Sequence, residues 1–97
     1  MKKYQIVKTK TFNKWFDKLP KNVISRINLR LERVAEGNFG DSKCFKNICE
    51  LRFDFSQGYR IYYAIQEQKI IILLLGGDKK SQDDDIKKAE KMLKQLR

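Results

Sequence analysis

Three strand-like runs in residues 50–80 decide the fold, and this stretch reads ELRFDFSQGYRIYYAIQEQKIIILLLGGDKK. In its first run, residues 50–55, three apolar side chains alternate with polar ones, so they share one side of a pleated strand and Arg52 lies on the other. The second run, residues 59–65, repeats this alternation and places Arg60 away from its apolar side. The stretch therefore predicts a sheet with an arginine-bearing face.

These two arginines suggest what that face binds. Arg52 and Arg60 come from neighbouring strands, so their guanidinium groups can converge on one ligand. A guanidinium fork matches phosphate oxygens in geometry as well as in charge. We therefore expect a polyphosphate or nucleic-acid partner, with Tyr62 pointing away from the buried side in the same direction as Arg60.

A third run, residues 70–75, is apolar on both faces, which is typical of a central strand covered on each side. One cover is expected from the N-terminal helices. The other is expected from the last segment, which predicts a helix with Ser81 as its N-cap. Residues 56–58 have turn chemistry and should join the first two runs as a tight hairpin.

The N-terminal part predicts a strand followed by a helical hairpin. Residues 4–7 favour a short strand, and the apolar side chains of residues 12–19 follow the i, i+3, i+4, i+7 spacing of an amphipathic helix. Pro20 ends that helix and starts a second one, which Gly37 ends. The element order is strand, helix, helix, strand, strand, strand, helix, an α+β arrangement with four strands.

Length and charge narrow the class of protein. A chain of 97 residues suits a single domain, residues 1–97. The net charge of +10, from 22 Lys and Arg against 12 Asp and Glu, attracts phosphodiester backbones, anionic lipid or an acidic protein. No apolar run approaches the roughly 18 residues needed to cross a bilayer, and no signal-like stretch follows Met1. We expect a cytoplasmic protein without a membrane partner.

The sequence offers no recognisable metal site. Cys44 and Cys49 are the only cysteines, and no histidine is present to complete a zinc site with them. We expect buried or idle thiols, and we expect neither a metal nor a cofactor.

Four motifs together carry a family resemblance. They are Glu50-Leu51-Arg52, Gly58-Tyr59-Arg60-Ile61-Tyr62-Tyr63, Leu74-Leu75-Gly76-Gly77-Asp78-Lys79, and Gln82 through Asp85-Ile86 to Ala89. In this order and spacing, they make the chain resemble the RelE/ParE superfamily of type II toxins, and within it the HigB-like addiction module killer branch. The resemblance implies a compact, mainly antiparallel sheet with two helices on one side.

The resemblance also implies a function and partners. Many members of the superfamily cut messenger RNA in the ribosomal A site, so it implies a metal-independent endoribonuclease that inhibits translation. The implied partners are the ribosome, messenger RNA and a small helix-turn-helix antitoxin, with operator DNA bound only through the antitoxin. ParE proteins keep the fold but inhibit DNA gyrase. A gyrase inhibitor, or an inactive toxin that serves its antitoxin as corepressor, therefore stays open.

Matching motif positions imply the site residues. Arg52, Arg60 and Lys79 take catalytic positions, and Lys46 is a further candidate for proton transfer. Three more side chains are expected to contact RNA, namely Lys43, Tyr62 and Lys80, although Lys80 stands where the family commonly has a small hydroxyl residue. Because histidine is absent, proton transfer must fall to lysine, tyrosine or carboxylate, and the choice among them stays open.

The same positions have plainer interpretations. Arg52 could pair with Glu50 or Asp54 as ordinary surface charge. Glu50 could serve to orient Arg52, and we assign it no catalytic role. Lys79 could belong to a solvated loop, since it follows two glycines, and Tyr62 could simply support the sheet face.

Overall fold

The apolar run of residues 70–75 belongs to β5, an inner strand of a five-stranded sheet. The computed structural model describes residues 3–96. Its elements in chain order are β1 (Gln5–Lys8), α1 (Lys10–Phe16), α2 (Lys21–Ala35), β2 (Ser42–Phe45), β3 (Ile48–Arg52), β4 (Arg60–Gln66), β5 (Ile70–Gly77), a 3₁₀ turn (Lys79–Ser81) and α3 (Gln82–Gln95).

The sheet is mainly antiparallel. Its strands lie in the order β1-β5-β4-β3-β2. β1 runs parallel to β5, whereas the other neighbouring pairs are antiparallel. The predicted α+β class, with an N-terminal helical hairpin and a C-terminal helix, is confirmed.

Four strands were predicted, and β2 at the edge of the sheet is the fifth. Its four residues pair with β3, and two of them, Lys43 and Cys44, are exposed. A short edge strand with exposed polar side chains lacks the apolar alternation that predicts a strand from sequence.

The connection after β3 contains the predicted turn but is longer than expected. β3 ends at Arg52 and β4 begins at Arg60, and within residues 53–59 the Gly58 N–H donates to the Phe55 carbonyl at 3.1 Å. Phe53 turns into the core, where it is 5% exposed, and the backbone of Gly58 adopts the left-handed region with φ of 70°. This loop lies over the end of the sheet that carries Arg52.

Helices cover both faces of the sheet. On one face, α1 and α2 join the strands in the larger buried cluster, whose members include Phe12, Phe16, Val23, Ile27, Leu31, Val34, Leu51, Ile61, Tyr63, Ile71 and Leu73. On the other face, α3 joins them in a smaller cluster made of Ile48, Tyr62, Ala64, Leu74, Leu75, Ala89 and Leu93. In the part of the chain that the structure describes, no helix is long and apolar enough to cross a membrane.

Cys44 and Cys49 form a disulfide, which corrects the prediction of buried or idle thiols. The β2–β3 hairpin places them directly opposite each other, with Cα atoms 3.9 Å apart. Cys44 is exposed and Cys49 is buried. The pairing depends on β2, the strand that the sequence pattern did not reveal.

Candidate phosphate-binding site at the end of the sheet

Arg52 and Arg60 lie side by side at one end of the sheet. They are directly paired residues of β3 and β4, and Arg60 is also paired with Gly77 of β5. Paired residues point to the same face, with Cβ atoms about 4.5–5.5 Å apart. The two side chains therefore start from adjacent positions on the face that α3 covers.

A shallow pocket of about 430 Å³ collects Arg52, Arg60 and Lys79. Its wall is completed by Asp41 and by the loop of residues 53–59. A larger groove of about 940 Å³, along β1 and α2, contains none of the residues implied to act on RNA. No group of three or more metal-binding side chains is present within residues 3–96. Each opening is lined by three cations and two carboxylates, so charge alone does not separate them. The smaller pocket is the better candidate for holding a phosphate because two of its cations are guanidinium groups.

The position of Lys79 is set by the turn that follows β5. The Asp78 carboxylate accepts hydrogen bonds from the backbone N–H groups of Lys80 at 2.9 Å and Ser81 at 3.2 Å. The β3–β4 loop lies against the other side, since a Cβ placed on Gly58 would be 3.4 Å from the Cβ of Lys79. Lys79 is exposed, but it extends from a defined turn and not from an irregular loop.

Behind the two arginines lies the fully buried carboxylate of Glu50. Its Oε1 accepts a hydrogen bond from Arg52 Nε at 3.0 Å, and its Oε2 accepts one from Gln82 Nε2 at 2.9 Å. Arg60 Nε is 4.0 Å from Oε2. Of the two carboxylates considered as partners of Arg52, Glu50 is the one that it contacts. The carboxylate of this ion pair is buried, whereas Arg52 is partly exposed.

Tyr62 is covered by α3, which corrects the prediction that its side chain points away from the buried side. The side chain is 0% exposed and lies opposite Glu50 in the β3–β4 pair. Burial and the Glu50 carboxylate raise the pKa of the Tyr62 hydroxyl far above its ordinary value. We expected the last helix to cover β5, but it also extends over β4. In this conformation the ring cannot stack on an RNA base from solution.

Comparisons with known proteins identify the family of the chain. The sequence model of the family described as Phage derived protein Gp49-like matches residues 14–95. The chain belongs to this family. The match includes every residue of the pocket, so the arginine strands and Lys79 are part of the Gp49-like domain.

A relative of this Gp49-like chain occurs in Haemophilus influenzae. It is an uncharacterized protein that is 48% identical over 65 residues, which amount to 64% of this chain and 65% of that protein. The chain thus spans slightly less than two thirds of the relative that it matches.

Three solved structures share the fold. A double arginine-to-alanine mutant of the E. coli toxin RelE in the free state has a TM-score of 0.72 and 18% identity, covering 92% of this chain and 94% of that chain. The RelB–RelE antitoxin–toxin complex from Methanococcus jannaschii gives 0.61 and 24%, covering 80% and 95%. The RelBE2 toxin–antitoxin complex from Mycobacterium tuberculosis gives 0.55 and 18%, covering 81% and 94%. Family and fold together confirm the resemblance to the RelE/ParE superfamily, whereas the HigB-like branch stays a prediction.

The structure places the remaining implied residues outside the pocket. Lys43 is exposed and pairs with Glu50 across β2 and β3, so it lies on the arginine face one strand farther out. Lys46 occupies the β2–β3 turn, separated from Arg52 by the length of β3, about 13 Å. Lys80 is exposed in the turn after β5. Lys46 therefore lies away from both Arg52 and Arg60.

Asp85 of α3 lies beside the site. Its Oδ2 accepts a hydrogen bond from the Ser81 hydroxyl at 2.5 Å. Burial raises the pKa of Asp85 above its ordinary value, and the bond from Ser81 opposes that shift. A Cβ on Gly77 would overlap this carboxylate, so a side chain at this position would require Asp85 to move.

Arg30 of α2 supports the site from the opposite face of the sheet. Its Nη1 donates to the backbone carbonyl of Arg52 at 2.9 Å, and its Nη2 donates to that of Asp41 at 2.8 Å. Burial lowers the pKa of Arg30, and the Asp41 carboxylate opposes this shift. A sequence signal existed, because Arg30 interrupts the apolar stripe of α2 between Ile27 and Leu31.

Proposed function

We propose that this Gp49-like chain is the toxin of a type II toxin–antitoxin pair and that it cleaves messenger RNA on ribosomes. The observation that carries the proposal is the pocket shared by Arg52, Arg60 and Lys79. Two guanidinium groups and an ammonium group match a phosphodiester in charge and in hydrogen-bond geometry. Further support comes from two proteins of the same fold, both solved as toxin–antitoxin complexes.

In the proposed reaction, Arg52 and Arg60 hold the non-bridging oxygens of the scissile phosphate. The adjacent 2′-hydroxyl oxygen bonds to phosphorus, its proton passes to water, and the bond from phosphorus to the 5′-oxygen breaks. Lys79, the ammonium group of the pocket, donates a proton to the leaving oxygen. The fragments then carry a 2′,3′-cyclic phosphate and a 5′-hydroxyl group.

The contacts of Arg60 suit this role. Its Nη1 donates to the backbone carbonyls of Gly58 at 2.9 Å and Tyr59 at 3.2 Å, which holds the guanidinium group against the β3–β4 loop. Within residues 3–96, its Nη2 makes no hydrogen bond and remains available for a phosphate oxygen.

Charge supports the proposed partners. The net charge of +10 favours association with the phosphodiester backbone of ribosomal and messenger RNA. A helix-turn-helix antitoxin is the proposed protein partner, and operator DNA would be bound only through it. Because ribosomes are the site of action, the proposal places the protein in the cytoplasm.

Mapping transcript ends on translating ribosomes tests the proposal, with the chain expressed alone or together with the product of its neighbouring gene. We expect codon-spaced cuts with 5′-hydroxyl ends, absent in the presence of the antitoxin and in Arg60→Ala. Arg33→Ala is the matched control, because Arg33 is exposed on α2, and it should cut like wild type. Intact transcripts with broken DNA would instead identify gyrase inhibition. Intact transcripts without growth arrest would identify an inactive corepressor.

A further inference from the structure

Glu50 is the only charged residue in the buried class within residues 3–96. Removing a carboxylate from water is costly, and replacing a buried ion pair by apolar side chains is often neutral or stabilising. Stability alone therefore does not explain a carboxylate at this position. Its place directly behind the cationic pocket suggests that it serves the site.

The bond from Glu50 decides which atoms of Arg52 face outward. Arg52 uses its Nε to donate to Oε1, and neither of its terminal nitrogens makes a hydrogen bond in the part of the chain that is described. Because the guanidinium group is planar, fixing its Nε edge also fixes the direction of its two terminal nitrogens. The Arg52 side chain is 33% exposed, so these nitrogens can meet a ligand in the pocket.

The second oxygen of Glu50 faces Arg60 and α3. Gln82 Nε2 donates to Oε2 at 2.9 Å, and Arg60 Nε lies 4.0 Å from the same atom. Arg60 Nε and the Tyr62 hydroxyl are buried and have no hydrogen-bond partner within residues 3–96. Buried donors of this kind gain from a nearby negative charge, so one carboxylate compensates both arginines.

We propose that Glu50 is the positioning residue of the site. It orients Arg52 through Nε, attracts Arg60, and is itself held in place by Gln82 of α3. The inference rests on the proposed function for its consequence in RNA cleavage, but the geometry can be measured without RNA. Both oxygens of Glu50 are occupied and the carboxylate is inaccessible to solvent, so Glu50 acts through the arginines and does not accept the substrate proton.

NMR of the arginine Nε–H groups tests the positioning directly. The signal that disappears in Arg52→Lys belongs to Arg52, and it should be protected from exchange with water in the wild-type protein. We expect exchange about tenfold faster in Glu50→Gln, because a hydrogen bond to a neutral amide oxygen is weaker than one to a carboxylate. Glu90→Gln, at an exposed carboxylate of α3, should leave the signal unchanged. Equal protection in wild type and Glu50→Gln would overturn the proposal.

A second variant keeps this test decisive if Glu50→Gln fails to fold. Glu50→Met removes both acceptor oxygens and fills the space with an apolar side chain, a change that buried ionic sites often tolerate. In a folded Glu50→Met protein the Arg52 Nε–H group should lose its protection. Retained protection there would also overturn the proposal.

Cleavage kinetics separate positioning from a purely structural role. Arg52→Ala should slow wild-type cleavage about 100-fold, but it should slow Glu50→Gln much less, because Arg52 is already misplaced in that variant. The loss in Glu50→Gln should appear in kcat more than in KM. Effects that simply multiply would overturn the positioning role. Loss of the acidic limb of the pH–rate profile would instead identify Glu50 as a proton acceptor and would overturn it as well.

The two proposals fail in different ways. If the wild-type chain cuts no RNA, the proposed function is wrong, and exchange at Arg52 Nε still decides whether Glu50 positions that side chain. If the wild type cuts RNA but Glu50→Gln cuts equally well, only the positioning role is wrong.

Discussion

The two faces of the sheet differ in the polarity of their buried side chains. Under α1 and α2, strand residues such as Leu51, Ile61 and Leu73 form an apolar interior. Under α3, the interior begins in the same way at Leu74, but it becomes polar around the fully buried Glu50 at the arginine end. The strand arginines therefore extend from a second interior, which is apolar except around Glu50 at the arginine end.

The two faces also differ in how they contribute to the stability of the fold. Apolar burial on the first face stabilises the fold in proportion to the area removed from water. On the second face, Arg60 Nε and the Tyr62 hydroxyl are buried without hydrogen-bond partners among the described residues, which costs stability. We therefore assign stability mainly to the first face and function to the second.

The largest expected effect on stability is on the apolar face. Leu73→Ala should lower the free energy of unfolding by about 2–5 kcal/mol, because it removes buried methyl groups and leaves a cavity. Val7→Ala is the control, since Val7 is 39% exposed, and it should change the free energy by about 0.5 kcal/mol or less. Urea denaturation measures both. Equal losses of unfolding free energy in the two variants would contradict the assignment of stability to buried residues such as Leu73.

Gly76 and Gly77 are consecutive residues of β5 that face opposite sides of the sheet, so alanine substitutions at them compare the two faces. A Cβ on Gly76 would overlap the ring of Trp15, which is packed against Phe12 and Tyr59, so Gly76→Ala should cost about 1–3 kcal/mol. A Cβ on Gly77 would overlap the Asp85 carboxylate, the end of a side chain that can rotate. Gly77→Ala should cost less, as measured by thermal unfolding. A larger loss at Gly77 would show that the polar face is the more rigid one.

Tyr62 and Tyr63 lie on opposite faces of the sheet, so removing one hydroxyl oxygen from each compares the two faces. Tyr62→Phe removes a hydroxyl without a partner under α3 and should raise the free energy of unfolding by about 1 kcal/mol. Tyr63→Phe removes a hydroxyl that is 2.7 Å from Ser42 Oγ on the other face and should lower it by about 1 kcal/mol. Urea denaturation of the two variants should therefore show opposite signs. Equal signs would contradict the view that the Tyr62 hydroxyl is unsatisfied.

The smallest effect concerns pH. Burial raises the pKa of Asp85 in the folded protein, so the folded state binds the Asp85 proton more tightly than the unfolded state does. The contribution of Asp85 to the free energy of unfolding should fall as pH rises from 3.8 through the raised pKa, and then stay constant. Asp85→Asn should remove this decrease. Asp83→Asn, exposed in the same helical turn, controls for the loss of one charge. An identical pH dependence in both variants would contradict the raised pKa of Asp85.

Sequence reasoning located Arg52 and Arg60 because a period of two residues fixes the face to which each strand side chain points. It missed the burial of Tyr62, since coverage by α3 depends on how a distant segment packs. It also missed β2, whose exposed polar residues carry no apolar pattern, and with β2 it missed the disulfide. The grouping of Lys79 with the arginines came from family motifs, because a turn sets its position and no periodicity predicts that.

We propose that the polar face of the sheet is an RNA-cleaving site in which Arg60 acts on the phosphate. The most direct test is the single-turnover rate of messenger cleavage on ribosomes by purified wild type and Arg60→Ala, with the thermal unfolding of both proteins recorded. We predict that Arg60→Ala stays folded and cleaves about 100-fold to 1000-fold more slowly. Near-wild-type cleavage by a folded Arg60→Ala protein would contradict the account.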